Sequence, residues 1–234
     1  MSQQLIWDYF QDEGCESFSG SIPRLKFLLN QAEKLVNNHS NSVPTVLNIG
    51  VGNGWLEKNC LSKGWNTYSL DPSEVAIKKI EENGGQGKVG MIENIPYDYE
   101  TFDVIFCSEV LEHLKDEQLD LGLKEINRVL VKGGYLMGTV PFNENLQSNQ
   151  VVCPDCGKLF HRWGHHQSFN IHSLTSKLSI NTNLQIERIK AIYFFSWLSL
   201  NWKGKLMSLI KKTLSILGVH GNNENILFIV RKLA

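Results

Sequence analysis

A parallel α/β sheet with helices on both faces is the fold class this sequence predicts, on three observations. Short apolar runs alternate with amphipathic stretches from residue 45 to residue 141. That order implies successive βαβ units. The first run ends in glycines and the second in an acid, and parallel sheets bind ligands just beyond such strand ends.

The elements follow in order. After Pro23, the residues Leu25, Leu28, Leu29, Ala32, Leu35 and Val36 recur at helical spacing. NNHSNSVP reads as a loop, and TVLNIG as a strand ending in glycine. GWLEKNCLSKG predicts a helix that stops at Gly64. NTYSLD is a second strand, closed by Pro72. SEVAIKKIEENGG carries a serine N-cap and a Gly-Gly end, the marks of a helix. GKVGMI is a third strand and FDVIFCSE a fourth. DEQLDLGLKEINRVLVKGG is an amphipathic helix running to Gly133 and Gly134, and YLMGTVP is a fifth strand.

Bulk properties narrow the function class. The 234 residues suit one domain, and 42% hydrophobic content is enough for a core. A formal net charge of −1 gives no general attraction for nucleic acid, so none is expected as a partner. Cysteines number five, and Cys15, Cys60 and Cys107 stand alone. An odd, scattered set argues against a disulfide framework and for a reducing compartment. MSQQLIWDYFQDEG has no basic start followed by an apolar run, and no long apolar stretch occurs. A cytoplasmic location without signal peptide or membrane span is therefore expected.

NIGVGNGW sets Gly50, Gly52 and Gly54 directly after the first strand. Glycines there allow a tight turn and a close approach of backbone N–H groups to a ligand. The spacing is GxGxG, and Trp55 departs from the dinucleotide fingerprint. Asp71 ends the second strand, 19 residues after Gly52. A carboxylate there can accept from both ribose hydroxyls of a nucleoside. An ordinary strand–helix turn and a helix-capping acid are the bland readings of the two features. Their joint occurrence, in this order, favours nucleoside binding.

Beyond these features, VLNIGVGNG, YSLDPS, ENIPYDYETFDVIFCSEVLEHL and INRVLVKGGYLMGTVP resemble the successive motifs of class I methyltransferases that use S-adenosylmethionine. The resemblance covers roughly residues 45–141. It implies a Rossmann-like seven-stranded, mostly parallel sheet with an antiparallel last strand. LQIERIKAIYF would then be the sixth strand and NILFIVRK the seventh. The expected layout is one methyltransferase domain, 1–234. It has a helical cap (1–44), a cofactor-binding core (45–141), an insertion (151–170), a basic amphipathic region (188–223) and the last strand (224–234). By the resemblance, Gly50, Gly52 and Gly54 face the methionine part and ribose of the cofactor, and Asp71 holds the ribose. Ile92 offers its backbone N–H to adenine, and Ser108 and Glu109 line the methyl-donor side. Asn48 stands where the family usually has an acid. Met91 stands where an acid often meets the adenine amine, so Glu93 is the expected substitute.

Methyl transfer from a sulfonium requires alignment and exclusion of water. An oxygen acceptor must also lose a proton to a base. The candidates are Glu109, Glu112, His113, His165 and His166, with Glu109, His113 and His166 foremost. Support of the cofactor pocket is an equally good reading of Glu112 and His113. The acceptor is expected to be a small molecule or glycan, methylated on oxygen. Alternatives are carbon or nitrogen methylation in quinone or secondary metabolism, or a non-catalytic zinc-containing binding module.

CPDCGKLFHRWGHH follows the fifth strand. Cys153, Cys156, His161 and His165 give two thiolates and two imidazoles, the donor set of a closed, structural zinc site. The competing reading is a reduced turn with histidines lining the acceptor pocket. Either way the stretch is a flap beside that pocket. Farther on, no acidic residue occurs from Arg188 to Asn223, while Lys190, Lys203, Lys205, Lys211 and Lys212 do. Over 202–217, Leu206, Leu209, Ile210, Thr213 and Leu217 form one face opposite Ser208, Lys211, Lys212 and Ser215. Such a helix either packs its apolar face on its own domain or lies on an anionic membrane.

Overall fold

The computed structural model describes residues 20–37, 42–180, 183–195, 200–220 and 224–233. Cys15, Trp197, most of the predicted 1–44 cap and the end of the 188–223 region lie outside these. In chain order the elements are α1 (Ile22–Asn37), β1 (Thr45–Ile49), α2 (Trp55–Ser62), β2 (Asn66–Asp71), α3 (Glu74–Glu82), β3 (Gln86–Val89) and β4 (Phe102–Ser108). Then come α4 (Asp116–Val129), β5 (Leu130–Pro141), β6 (Gln150–Val152), β7 (Leu159–His161), α5 (Ile171–Ser179), β8 (Leu184–Ile192), α6 (Trp202–Ile216) and β9 (Asn225–Lys232). Seven strands form one sheet in the order β3-β2-β1-β4-β5-β9-β8. All the pairings from β3 to β5 are parallel, and β9 runs antiparallel to both β5 and β8.

Both faces of the sheet are covered, which is why its central strands are apolar throughout. On one face Leu47, Ile105 and Leu136 pack with Leu119, Leu123 and Ile126 of α4 and with Leu174 and Leu178 of α5. On the other, Val46, Val104, Phe106 and Met137 pack with Leu28, Leu29 and Ala32 of α1 and Leu56 and Cys60 of α2.

Three boundaries differ from the sequence reading. α4 stops at Val129, because Leu130 is already extended and pairs with Phe102. Gly133 then turns with φ of 79° inside a register shift, so both glycines belong to β5. β3 ends at Val89, which leaves Ile92 in the following turn. The stretch after β5 forms the antiparallel hairpin β6–β7, and the helix α5 after it was not predicted.

Candidate functional site

Strand order reverses between β1 and β4, and ligands of open α/β sheets bind in the crevice beyond the carboxyl ends at such a point. Gly50, Gly52 and Gly54 lie there with φ of 81°, 57° and 74°. A Cβ on Gly50 would meet Cγ2 of Val110 at 2.7 Å, so glycine is what lets the loop pass the β4 end. A cavity of about 220 Å³ among Pro44, Asp103 and Gly133 is at the amino ends of β1 and β4. It is no part of this site.

Asp71 is buried at the end of β2. Its Oδ2 accepts the N–H of Val51 at 2.8 Å, and its Oδ1 accepts the N–H of Ser73 at 2.9 Å. One carboxylate thus ties the glycine loop to the start of α3. Asn48 turns inward instead of facing the crevice. Its Nδ2 donates to Oε1 of Glu57 at 2.7 Å and to the Gly50 carbonyl at 3.3 Å.

Glu57 was not anticipated. It is fully buried on α2 and also accepts from Ser69 Oγ at 3.1 Å. Its Oε2 has no hydrogen-bond partner. A buried acid thus lies directly behind Asn48. Sequence held a faint signal, because Glu57 lies on the same stripe of α2 as Leu56 and Cys60, both buried. Burial raises its pKa from 4.5 to about 7. The folded protein therefore binds this proton more tightly than the unfolded chain does. The associated stability is complete below the unfolded pKa and is lost as pH rises through the folded one. Urea midpoints are expected to fall from pH 4.5 to about 7, and Glu57→Gln should remove that component of the slope. Identical slopes in the two proteins would contradict the assignment.

Ile92 is buried three positions past β3 and packs against α4, where a Cβ on Gly122 would meet its Cγ1 at 3.1 Å. Glu93 accepts from Gln118 Nε2 at 2.9 Å through Oε1, while its buried Oε2 has no hydrogen bond. Met91 is exposed.

At the β4 end, Ser108 Oγ shares a hydrogen bond of 2.8 Å with Thr139 Oγ1 and accepts from Arg24 Nε at 3.0 Å. Glu109 has a left-handed backbone, φ 58°, which is uncommon away from glycine. Its Oε1 accepts from Thr139 Oγ1 at 2.9 Å and Asn225 Nδ2 at 3.0 Å, and Arg24 stands 4.0 Å from its Oε2. Arg24, Thr139 and Asn225 are distant in sequence from Glu109, so no local pattern could have nominated them.

The flap closes on this end. The carbonyl of Glu112 accepts the N–H groups of His166 at 2.8 Å and Gln167 at 3.0 Å. The Glu112 side chain is buried, neither oxygen has a hydrogen bond, and burial beside Glu109 raises its pKa well above the usual range. Burial, reinforced by neighbouring His165, lowers His113 to about 3. That shift keeps the imidazole neutral and weighs against His113 as the base. His166 is exposed, and its pKa is lowered by partial burial and by Lys115.

The four predicted zinc ligands do not converge. His161 pairs with Gln150 at the base of the β6–β7 hairpin, while Cys153 follows β6 at its tip. Three residues of strand separate them, roughly 10 Å. The knuckle itself forms: backbone N–H groups of Cys156 and Asp155 point at the Cys153 sulfur and lower its pKa. The histidines instead gather around Glu144, with one ligand atom each of Glu144, His161 and His165 within 4.8 Å of the others. Glu144 Oε2 is 2.5 Å from His165 Nδ1, and its Oε1 is 3.4 Å from His161 Nε2. His161 Nδ1 accepts the backbone N–H groups of Trp163 at 3.3 Å and His165 at 3.1 Å. The Nε2 of His161, buried beside Glu144, makes no hydrogen bond. Glu144 thus links residue 144, after β5, to His165, after β7.

Residues 47–138 match a family model described as a methyltransferase domain. A Bacillus subtilis protein described as a methyltransferase, YrhH, is 37% identical over 107 residues, 42% of this chain and 58% of that one. The chain thus spans less than two thirds of that relative's length. The ubiquinone biosynthesis O-methyltransferase of Rickettsia bellii is 22% identical over 176 residues, 71% of this chain and 72% of that one. In fold, the chain is similar to the N-methyltransferase NodS of Bradyrhizobium japonicum, solved with S-adenosylhomocysteine. The TM-score is 0.63 at 16% identity, covering 98% of this chain and 97% of that one.

Proposed function

We propose that the chain, whose residues 47–138 match a family model described as a methyltransferase domain, transfers a methyl group from S-adenosylmethionine to oxygen of a small-molecule or glycan-type acceptor. The observation that carries this is the glycine loop held by Asp71 at the switch point of the sheet. A cradle of left-handed glycines with a buried acid at its edge, and an unbonded Glu93 oxygen past the end of β3, suit a cationic nucleoside. Gly50, Gly52 and Gly54 would take the amino-acid part and ribose. Asp71 would take the ribose hydroxyls, and Ile92 and Glu93 the adenine.

When bound, the cofactor supplies a methyl already activated on sulfonium. The chain's task is then to align the acceptor, exclude water and remove a proton. We assign proton removal to Glu109. Its left-handed backbone is a strained feature of the kind found at working sites. Thr139 and Asn225 aim its carboxylate. His113 stays neutral and supports the loop, and the pair of Glu144 and His165 keeps the flap over the acceptor side. Oxygen as the acceptor atom is favoured by the similarity to the Rickettsia O-methyltransferase, which extends over most of this chain.

Calorimetric titration with S-adenosylhomocysteine is expected to give one site with micromolar affinity, about −8 kcal/mol. A folded protein that binds none would leave the non-catalytic binding module as the better reading.

A further inference from the structure

α6 is amphipathic in the reverse of the usual sense. The side packed on the domain is built of small polar residues: Ser208 is 4% exposed, and Gly204 and Ser215 are half-buried. The side turned to solvent carries Trp202 at 70% exposure, Leu206 at 52%, Leu209 at 52% and Ile210 at 44%. Sequence periodicity favoured burial of Leu206, Leu209 and Ile210 against the domain, and the structure turns them outward. Leu217, just past the helix, is exposed as well. A contiguous apolar face of this kind on a protein surface marks an interaction site.

Charge selects the partner. Lys203, Lys205, Lys211 and Lys212 all lie on α6, and no Asp or Glu occurs between Arg188 and Asn223, in a chain whose net charge is only −1. Lys211 and Lys212 lie over the rings of Tyr193 and Phe195, at 5.4 Å and 5.9 Å from their centroids. These contacts hold the helix to the end of β8 while leaving the apolar side outward. A second copy docked through the same face would bring lysines against lysines, because a two-fold interface joins identical patches. An anionic lipid surface complements both features. Leucines and a tryptophan enter the headgroup–acyl boundary, and lysines meet the phosphates.

We propose that α6 docks the protein on anionic membranes as an interfacial helix lying in the plane of the surface. No described helix is long and apolar enough to cross a bilayer, so this is attachment from one side. The proposal is independent of the methyl-transfer reading.

The test is co-sedimentation of the full chain with vesicles of equal parts phosphatidylcholine and phosphatidylglycerol, against pure phosphatidylcholine vesicles. Binding to the first and at least tenfold weaker binding to the second is expected. Raising the salt to about 1 M should release the protein, since screening then acts within about 3 Å. Replacing Lys203 and Lys205 by Gln should weaken binding about fivefold per lysine. Leu206→Gln with Ile210→Gln should abolish it, with an unchanged circular dichroism spectrum and melting temperature as evidence that the variant is folded. Equal binding to both vesicle types, or to neither, overturns the proposal. So does a concentration-dependent dimer in light scattering that the Leu206/Ile210 variant abolishes, which would assign the face to a second copy.

Discussion

Asp71→Ala is expected to raise the dissociation constant of S-adenosylhomocysteine by roughly 100-fold or more. Two losses combine. The ribose hydroxyls lose a charged acceptor, a bond worth about 1.5–3 kcal/mol. The glycine loop loses its tie as well, because the same carboxylate receives the N–H of Val51 at 2.8 Å and of Ser73 at 2.9 Å. An unanchored loop must be ordered again on binding, which further reduces affinity. Asp71→Asn retains an acceptor oxygen and is expected to fall between the alanine variant and the wild type. Titration calorimetry on the three proteins measures the series. Unchanged affinity in the alanine variant would remove Asp71 from the cofactor site, whatever its effect on stability.

Gly138→Ala is expected to produce the largest loss of stability of any single methyl addition in the sheet. Gly138 lies in β5, between Cys107 of β4 and Phe228 of β9. A Cβ there would fall 1.7 Å from the Cys107 carbonyl oxygen and 2.7 Å from Cζ of Phe228. The first contact is with backbone, so no rotamer change relieves it. β4 and β5 must separate, and that strains the Ser108–Thr139 bond one residue on. Overpacking of this kind costs about 3 kcal/mol or slightly more. In a chain of this size that corresponds to a fall in Tm of roughly 6–12 °C. Scanning calorimetry gives the value, and a fall under about 2 °C would show that the strands can part at little cost.

These two positions mark what a linear reading can and cannot reach. Asp71 could be nominated because its signal is local: a strand, an acid and a glycine loop at a fixed spacing. Gly138 carries no such mark, since its requirement for hydrogen comes from residues 107 and 228. The four predicted zinc donors are kept apart for a related reason. Cys153 and His161 are close in sequence, yet a hairpin carries them to opposite ends, and a donor at position 144 takes the histidines. His113 was a sound choice of residue type, but burial, invisible in the sequence, lowers its basicity.

By itself the sequence determined the order of strands and helices from residue 45 to residue 141 and the carboxyl-end position of the glycines and Asp71. Each depends on periodicity or spacing within a few residues, and short-range backbone preferences act on that scale. Only the tertiary structure decided which face of α6 meets solvent, where the acid beside Asn48 resides, and which partners aim Glu109. The last of these depends on groups brought together from residues 24, 139 and 225. Contacts made across the sheet, and the removal of water around them, leave no local trace in the chain.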